Sequence, residues 1–414
     1  MPSDTAAAEL SLDAVDPSEV EMIDLFAGPG GLDVAARWLG IPAVGIEVNE
    51  DACRTRLRAG LGTRHADVRN HDLLDDFPNA KILTGGPPCQ TYSVAGSGAG
   101  RRALTQVLGF VSRIAGGARA EVEEELGKLD DERTGLVLQP LLWALEAFDK
   151  GRPFETIVLE QVPTVKPVWD AYAPVLKDLG YEVEVDLVHT EQFGVPQTRR
   201  RAILIACRNR GAVFPRATHR AYNKRLKRTE GVPGLREWAT LGEALKPPKA
   251  EWVKDLDLPE RPSSFEVVSN YGTGGNPKLR GKRTSNEPSA TVTGKVRRNR
   301  IVADGEDFER LLPEEAGRLQ TFPLDYPWSG NDQYQQVGNA IPPRVGVHIL
   351  AAALFGKKPN ENALDRAVGG SWLEALADLH QLRLSLEFFP DEEEPAGSGR
   401  QAELFPIDLD SLPV

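Results

Sequence analysis

A cysteine in a stiff turn is the residue of this sequence with the clearest chemical potential. The segment Gly85-Gly86-Pro87-Pro88-Cys89-Gln90 follows an apolar run at residues 81–84 that indicates a strand. The prolines fix their own φ, and the glycines allow a ligand to approach the backbone closely. A thiol presented in this way can act as a nucleophile once it is deprotonated. The alternative is a buried cysteine that packs as a small hydrophobic residue.

A glycine turn near the start of the sequence is followed by two carboxylates at the ends of predicted strands. Residues 21–26 indicate a strand, followed by the turn at 27–33 and a helical pattern at 34–39. Glu47 ends the next apolar run, at residues 43–46, where nucleotide-binding sheets hold ribose hydroxyls, and Asp67 is a third acidic tip at residues 65–68. The turn could be purely structural, and its Gly-Pro-Gly-Gly spacing differs from the Gly-x-Gly-x-x-Gly of dinucleotide binders.

The remaining elements must bring these residues together. Strands are predicted at residues 43–46, 156–159, 181–188 and 202–206, and helices at 101–129, 167–179, 343–355 and 361–386. This alternation predicts an α/β fold with a Rossmann-like, doubly wound sheet whose catalytic groups lie at the carboxyl ends of strands. The glycines at 96–100 suit either a mobile lid or a flexible linker at the start of the helical segment.

Composition excludes several classes of protein. The chain has 414 residues, with no apolar run that approaches the ~18 needed to cross a membrane, and its acidic start is unlike a signal peptide. Its cysteines at 53, 89 and 207 are too far apart to predict a zinc site or a disulfide framework. The sequence therefore predicts a cytoplasmic protein without metal.

Charge is strongly segregated along the chain. The net charge is −12, but residues 1–23 and 387–414 together carry 14 acids and one arginine, so the body between them is close to neutral. Within that body, residues 197–228 carry nine arginines, two lysines and no acid. A second basic stretch covers residues 278–300. This pattern is typical of a protein that binds a phosphate backbone, although a basic run can also be a solvated face.

The motifs resemble, in order, those of the DNA (cytosine-5)-methyltransferase family. The glycine turn, Glu47, Asp67 and Pro88-Cys89-Gln90 come first. Leu159-Glu160-Gln161-Val162 and residues 197–201, 318–323 and 336–343 follow, so the resemblance spans about 20–356. It implies an S-adenosylmethionine-dependent methyltransferase sheet with a smaller target recognition domain. It also implies S-adenosyl-L-methionine as cofactor, double-stranded DNA as partner and a possible cognate restriction endonuclease.

The resemblance also implies roles for individual residues. Cys89 would attack C6 of a flipped cytosine, Glu160 would interact with its N3, Arg201 would hold its O2, and Arg199 would hold nearby backbone or phosphate. The implied cofactor residues are Asp24, Phe26, Ala27, Gly28, Gly30, Gly31, Leu32, Glu47, Val48, Asp67, Val68, Pro87, Asn339 and Ala340. The implied DNA contacts are Gln90, Ser93, Gln197, Arg297 and Arg298.

One motif departs from the family pattern. Gln161 replaces the asparagine that follows the catalytic glutamate and that supports the cysteine turn through hydrogen bonds. Glutamine has the same amide donors and acceptor on a longer stem, so we expect this support to persist.

The domain organisation follows from the motifs and the charge. We expect an acidic tail at residues 1–20, a catalytic and cofactor-binding domain at 21–207 and a target recognition domain at 208–325. A segment at 326–356 returns to the catalytic domain, and 357–414 forms a helical extension and acidic tail. Tyr222, Trp238, Trp252 and Tyr271 can pack the core of the recognition domain or contact bases.

Two alternatives and one partner remain open at this stage. An RNA methyltransferase of the same family would lack a large recognition domain, and a catalytically silent DNA-binding protein would not need Cys89, Glu160 and Arg201. In the tail, Gln401, Leu404 and Phe405 resemble a pentapeptide that docks to the replication sliding clamp. An acidic tail with incidental apolar residues is the alternative.

Overall fold

The computed structural model describes residues 15–88, 98–126, 135–269, 281–377 and 384–389. Its largest sheet has seven strands which, numbered in chain order, lie side by side in the order β3-β2-β1-β4-β5-β8-β6. The strands up to β8, including the short β7, are β1 Met22–Leu25, β2 Ala43–Glu47, β3 Gly62–His65, β4 Ile82–Gly85, β5 Thr156–Gln161, β6 Glu182–His189, β7 Gln197–Thr198 and β8 Arg200–Cys207. The predicted Rossmann-like sheet is confirmed, with strand bounds within two residues of those expected.

The direction of β8 determines where the site is built. The five strands β3, β2, β1, β4 and β5 are mutually parallel, but β8 runs antiparallel to both β5 and β6. Gln161 therefore pairs with Ala202. The start of β8 meets the end of β5, and Arg201 lies beside Glu160.

Helices cover both faces of the sheet. Helix α10 (Pro343–Phe355) packs against α1 (Gly31–Leu39) on one face, and α3 (Gly98–Ala115) packs against α6 (Lys166–Asp178) on the other. The helix predicted at 343–355 has those bounds. The helices are α1 Gly31–Leu39, α2 Glu50–Arg58, α3 Gly98–Ala115, α4 Arg119–Leu126, α5 Gln139–Asp149, α6 Lys166–Asp178, α7 Leu241–Leu245, α8 Pro313–Leu319, α9 Gln333–Asn339, α10 Pro343–Phe355, α11 Glu361–Gly369 and α12 Trp372–Ala377.

Alternation along the strands supplies a hydrophobic core on each face. In β1, Met22 packs with α1 and α10, while its neighbour Ile23 packs with α3 and α6. Both are fully buried, as expected for a parallel strand that is covered on both faces. The first core continues into the region after β8, where it includes Leu241 and Val267.

The region after β8 contains short strands and few helices. A four-stranded antiparallel sheet has the order β10-β9-β12-β13, and β11 pairs with β7 in parallel. The strands are β9 Glu266–Val268, β10 Lys282–Thr284, β11 Ser289–Ala290, β12 Arg300–Ala303 and β13 Glu306–Phe308. Through β11 this region pairs with β7, a short strand that directly precedes β8 and lies outside the seven-stranded sheet.

Two helical predictions need correction. The single helix expected over 361–386 is wrong, because α11 ends before Gly370, α12 begins at Trp372, and residues 386–388 form strand β15 Leu386–Phe388 against β14 Lys357–Pro359. The helical segment after residue 100 is two helices, because Gly116 and Gly117 interrupt it and Gly117 has a φ of +88°.

Several sequence-based predictions lie outside the described residues. They are the predictions for Cys89, Gln90, Ser93, Gln401, Leu404 and Phe405 and for the aromatic Tyr271. In the described part of the chain, no helix is long and apolar enough to cross a membrane.

Candidate active site

The glycine turn after β1 is shaped by close contacts. Phe26 and Gly28 have positive φ values of 58° and 53°. A Cβ atom on Gly31 would lie 2.2 Å from the carbonyl oxygen of Ile341. Only glycine therefore allows this turn to pack against the segment before α10.

Glu47 at the end of β2 is held by backbone donors. Its Oε2 accepts a hydrogen bond from Gly28 N at 2.8 Å, and its Oε1 accepts from Val48 N at 2.9 Å and Asn49 N at 2.7 Å. These bonds fix the carboxylate beside the glycine turn. This is the position predicted for a ligand of ribose hydroxyls.

A buried ion pair lies beside the same turn. Arg56 donates to both carboxylate oxygens of Asp33 at 2.7 Å, and the two side chains are 0% and 2% exposed. Asp24 is also buried and accepts a hydrogen bond from Thr84 Oγ1 at 2.6 Å. Burial, together with the nearby Asp33 charge, raises the pKa of Asp24 well above its usual value.

Asp67 follows β3 and is half-buried, as Glu47 is. Its carboxylate accepts hydrogen bonds from Arg69, including one from Nη2 at 2.6 Å, and these bonds lower its pKa. Val48 stands nearby on the cavity wall and is 66% exposed, which is high for an apolar side chain. An exposed apolar surface beside two carboxylates suits a planar, hydrogen-bonding group such as adenine with its ribose.

The carboxyl end of β5 carries a second group of candidate site residues. Arg201 Nε lies 2.6 Å from Glu160 Oε1, and both side chains are largely buried. Gln161 donates from its amide to the carbonyl oxygen of Pro87 and accepts from Val162 N. The glutamine therefore contacts the turn that precedes Cys89, as expected for a residue that supports it.

Arg199 joins three separate segments. It is 2% exposed, and its Nη1 donates to the carbonyl oxygens of Val292 and Gly338, each at 3.1 Å. The expectation that Arg199 holds backbone therefore matches its geometry. The bonds connect the residue between β7 and β8 with the region after β8 and with the end of α9.

One cavity of about 440 Å³ unites the two groups of residues. All the predicted cofactor residues except Gly30 line it, together with Glu160, Gln161, Arg199 and Arg201. Pro87 and Pro88 form part of the wall, so Cys89 follows directly in the chain from a residue of this cavity.

The residues predicted to contact DNA differ from one another in burial. Gln197 is fully buried, where its Nε2 donates to Gln320 Oε1 at 2.7 Å and its Oε1 accepts from Val292 N at 2.7 Å. This side chain links segments of the protein and does not reach the surface that a DNA contact would need. Arg297 and Arg298 are exposed, and Arg297 lies over the ring of Tyr334 at 5.7 Å.

Some residues of the cavity were not predicted from the sequence. Arg69 and Leu136 line it, yet neither belongs to a motif that the sequence offered. Arg69 could have been predicted, because it is a basic residue two positions after the carboxylate of Asp67. Nothing in the sequence around Leu136 connects it to the glycine turn.

A Rossmann-like sheet with an antiparallel strand, and carboxylates at successive strand ends around one cavity, define an S-adenosylmethionine-dependent methyltransferase fold. Residues 20–111 and 157–354 match the family model described as C-5 cytosine-specific DNA methylase. The chain belongs to this family and is a DNA (cytosine-5)-methyltransferase.

Curated relatives agree with this assignment, and a solved structure has a similar fold. The type II methyltransferase M.AplI of Arthrospira platensis is 27% identical over 363 residues, which cover 84% of this chain and 87% of the relative. M.Eco47II of Escherichia coli is 26% identical over 347 residues, covering 78% and 75%. The solved structure of the S. pombe Dnmt2 methyltransferase has a TM-score of 0.50 at 16% identity and covers 81% of this chain and 98% of its own. That likeness supports the fold.

Proposed function

We propose that this enzyme methylates C5 of a flipped cytosine in a specific DNA sequence, with S-adenosyl-L-methionine as donor and a covalent adduct to Cys89. The observation that supports it best is the single cavity of about 440 Å³. Its wall includes Glu47 and Asp67 at one end and the Glu160–Arg201 pair at the other. A methyl donor and a base bound at these two ends would be adjacent.

Cys89 would supply the nucleophile. C5 of cytosine is a poor nucleophile, and addition of a thiolate to C6 moves electron density to C5. The two prolines before Cys89 and the bond from Gln161 to Pro87 restrict the backbone that carries the thiol. Loss of the C5 proton and expulsion of Cys89 would restore the aromatic ring.

Glu160 and Arg201 would hold the ring during this attack. Glu160 would share a proton with N3, so that negative charge does not accumulate there. Arg201 would orient the Glu160 carboxyl, which it contacts at 2.6 Å, and would donate to O2 of the base.

The cofactor end fits S-adenosyl-L-methionine in its chemistry. Glu47 would accept from the ribose hydroxyls, Asp67 from the adenine amino group, and Val48 would cover the adenine face. The sulfonium of the bound cofactor supplies an electrophilic methyl group.

The DNA substrate would enter with the target base out of the duplex. A paired base cannot reach the residues of a cavity, and flipping costs roughly a few kcal/mol. The relatives are named type II methyltransferases, which supports a role in restriction-modification or phage defence beside a cognate endonuclease.

Bisulfite sequencing tests this proposal. Plasmid DNA from a methylation-free host that expresses the enzyme should contain methylcytosine at one recurring sequence. DNA from a host that expresses the Cys89→Ser variant at equal level should contain none. Equal methylation by both proteins would contradict the covalent mechanism, and no methylation by either would contradict the assigned substrate.

A further inference from the structure

A second cleft adjoins the active-site cavity. Its volume is about 460 Å³, and Arg201 lines both spaces. Pro163, Thr198, Arg200, Tyr222 and Arg283 form much of its wall. The cleft therefore lies between the end of β5 and the region after β8, next to the place proposed for the flipped cytosine.

Arg283 on β10 is held firmly in this cleft. Its guanidinium stacks over the ring of Tyr222 at 4.8 Å, and its Nη1 donates to the Tyr222 hydroxyl at 3.0 Å. Glu287 Oε1 lies 3.6 Å from the same Nη1 and accepts a hydrogen bond from the Tyr222 hydroxyl. Tyr222 itself packs edge-on against the buried Trp238, with ring centroids 5.5 Å apart.

These contacts leave one edge of the guanidinium for a ligand. In the described part of the chain, Arg283 uses Nη1 for its polar contacts, and its side chain is 25% exposed. The Nε–Nη2 edge has the parallel donors that match two adjacent acceptors.

The neighbouring carboxylate favours a base over a phosphate as that ligand. Burial opposes ionisation of Glu287, but hydrogen bonds from the Thr284 backbone and from Tyr222 lower its pKa below the usual value. The Arg283–Glu287 unit is therefore close to neutral and attracts a phosphate weakly. Guanine offers two adjacent acceptors, O6 and N7, without a net charge.

We propose that Arg283 is a specificity-determining residue that reads the O6/N7 edge of a guanine close to the target cytosine, with Tyr222 as its positioning residue. This inference rests on the proposed function, because it assumes that DNA occupies both spaces. Arg200, an exposed residue of the same cleft, serves as the matched arginine for comparison.

The experiment measures methylation of a duplex library with random bases around one cytosine, read by bisulfite deep sequencing. The wild-type enzyme should require guanine at one position near the target. Arg283→Ala should lower the preference for guanine there by about 5- to 150-fold, the range of one bidentate arginine–base pair, and leave the other positions unchanged. Arg200→Ala should lower methylation equally for all sequences.

Tyr222→Phe provides a milder variant. It keeps the ring under Arg283 and removes only the hydroxyl, so it should relax the same position to a smaller extent. If thermal melting shows that the Arg283→Ala variant is not folded, the Tyr222→Phe variant alone tests whether Arg283 sets the guanine preference.

An unchanged sequence preference in the folded variants, with or without a general loss of rate, would overturn the role of Arg283. A wild-type enzyme without a guanine requirement would do the same. If the wild-type enzyme left no methylcytosine in the library, the proposed function would fail, and this inference with it.

Discussion

The proposed cofactor side of this enzyme, built on β1 to β5, and its proposed recognition side, the region after β8, are held in place by different interactions. Glu47 and Glu160 stand at the ends of strands within a seven-stranded sheet, so its register sets their positions. The region after β8 has strands of two to four residues. There, side-chain pairs such as Arg228 with Glu243 of α7, and Arg261 with Glu315 of α8, connect loops to short helices.

Because of this difference, the residues proposed for catalysis and those proposed to read the DNA sequence stand on different kinds of structure. Residues at strand ends cannot move without disturbing the sheet, which suits groups that need a fixed geometry. Side chains on short strands can be replaced while the sheet stays intact, which suits the readout of different DNA sequences. The predictions below test this separation, starting with the largest expected effect.

Arg56→Met should destabilise the cofactor side most strongly. The change leaves Asp33 buried without its cation, and loss of one partner of a buried pair costs about 3–5 kcal/mol. Urea unfolding measures the free energy. Arg54→Met is the matched control on the same helix, because its exposed pairs with Glu50 and Asp51 contribute at most about 1 kcal/mol. Equal losses in the two variants would contradict this account.

Gln161→Ala should weaken the support of the cysteine turn. It leaves the buried Pro87 carbonyl without the Gln161 amide, which costs about 1–3 kcal/mol of unfolding free energy. We also expect kcat for methylation to fall more than KM rises, because the turn carries Cys89. Gln161→Asn should retain more activity than Gln161→Ala. If both variants keep the wild-type kcat, the turn does not depend on this bond.

The contact between the region after β8 and the segment before β7 should weaken in acid. His219 of the first is hydrogen-bonded through its backbone N–H to the carbonyl oxygen of Gln192 in the second. Burial, with the nearby charges of Arg344, His348 and Arg236, lowers the pKa of His219 to about 3, against the opposing charge of Glu361. An unfolded histidine titrates near ~6.5. Between these values only the unfolded chain binds the proton, so stability falls as pH falls.

His219→Gln should remove this contribution. Between pH 6 and pH 4, the unfolding free energy of the wild-type protein should fall more steeply than that of the variant, by about 1.4 kcal/mol per pH unit. Urea unfolding at several pH values measures both slopes. Equal slopes would show that His219 binds its proton equally in the folded and the unfolded protein, which would contradict the expected loss of stability.

The sequence predicts the cofactor side better than the recognition side. Strands such as β5 and β8 are continuous apolar runs, and Glu160 follows directly from the end of such a run. The direction of β8 was not visible in the sequence, although it places Arg201 against Glu160. The fully buried position of Gln197 was also hidden, because a motif identifies a residue without its surroundings.

The recognition side offered weaker signals for physical reasons. Strands of three residues, such as β9 and β10, are too short to show a period. The Tyr222–Arg283–Glu287 cluster joins residues up to 65 positions apart, and such contacts leave no local pattern. The break before α12 was signalled by Gly369 and Gly370, but the helical pattern on either side concealed it.

The most direct test of the account is the single-turnover rate of DNA methylation as a function of S-adenosyl-L-methionine concentration, for Glu47→Gln and Glu160→Gln. If the cavity binds the cofactor at one end and the cytosine at the other, Glu47→Gln should need more cofactor but approach the wild-type rate at saturation. Glu160→Gln should stay about 10²- to 10⁴-fold slower at every concentration. A saturating rate that is normal in Glu160→Gln, or one that high cofactor cannot restore in Glu47→Gln, would contradict this division of the site.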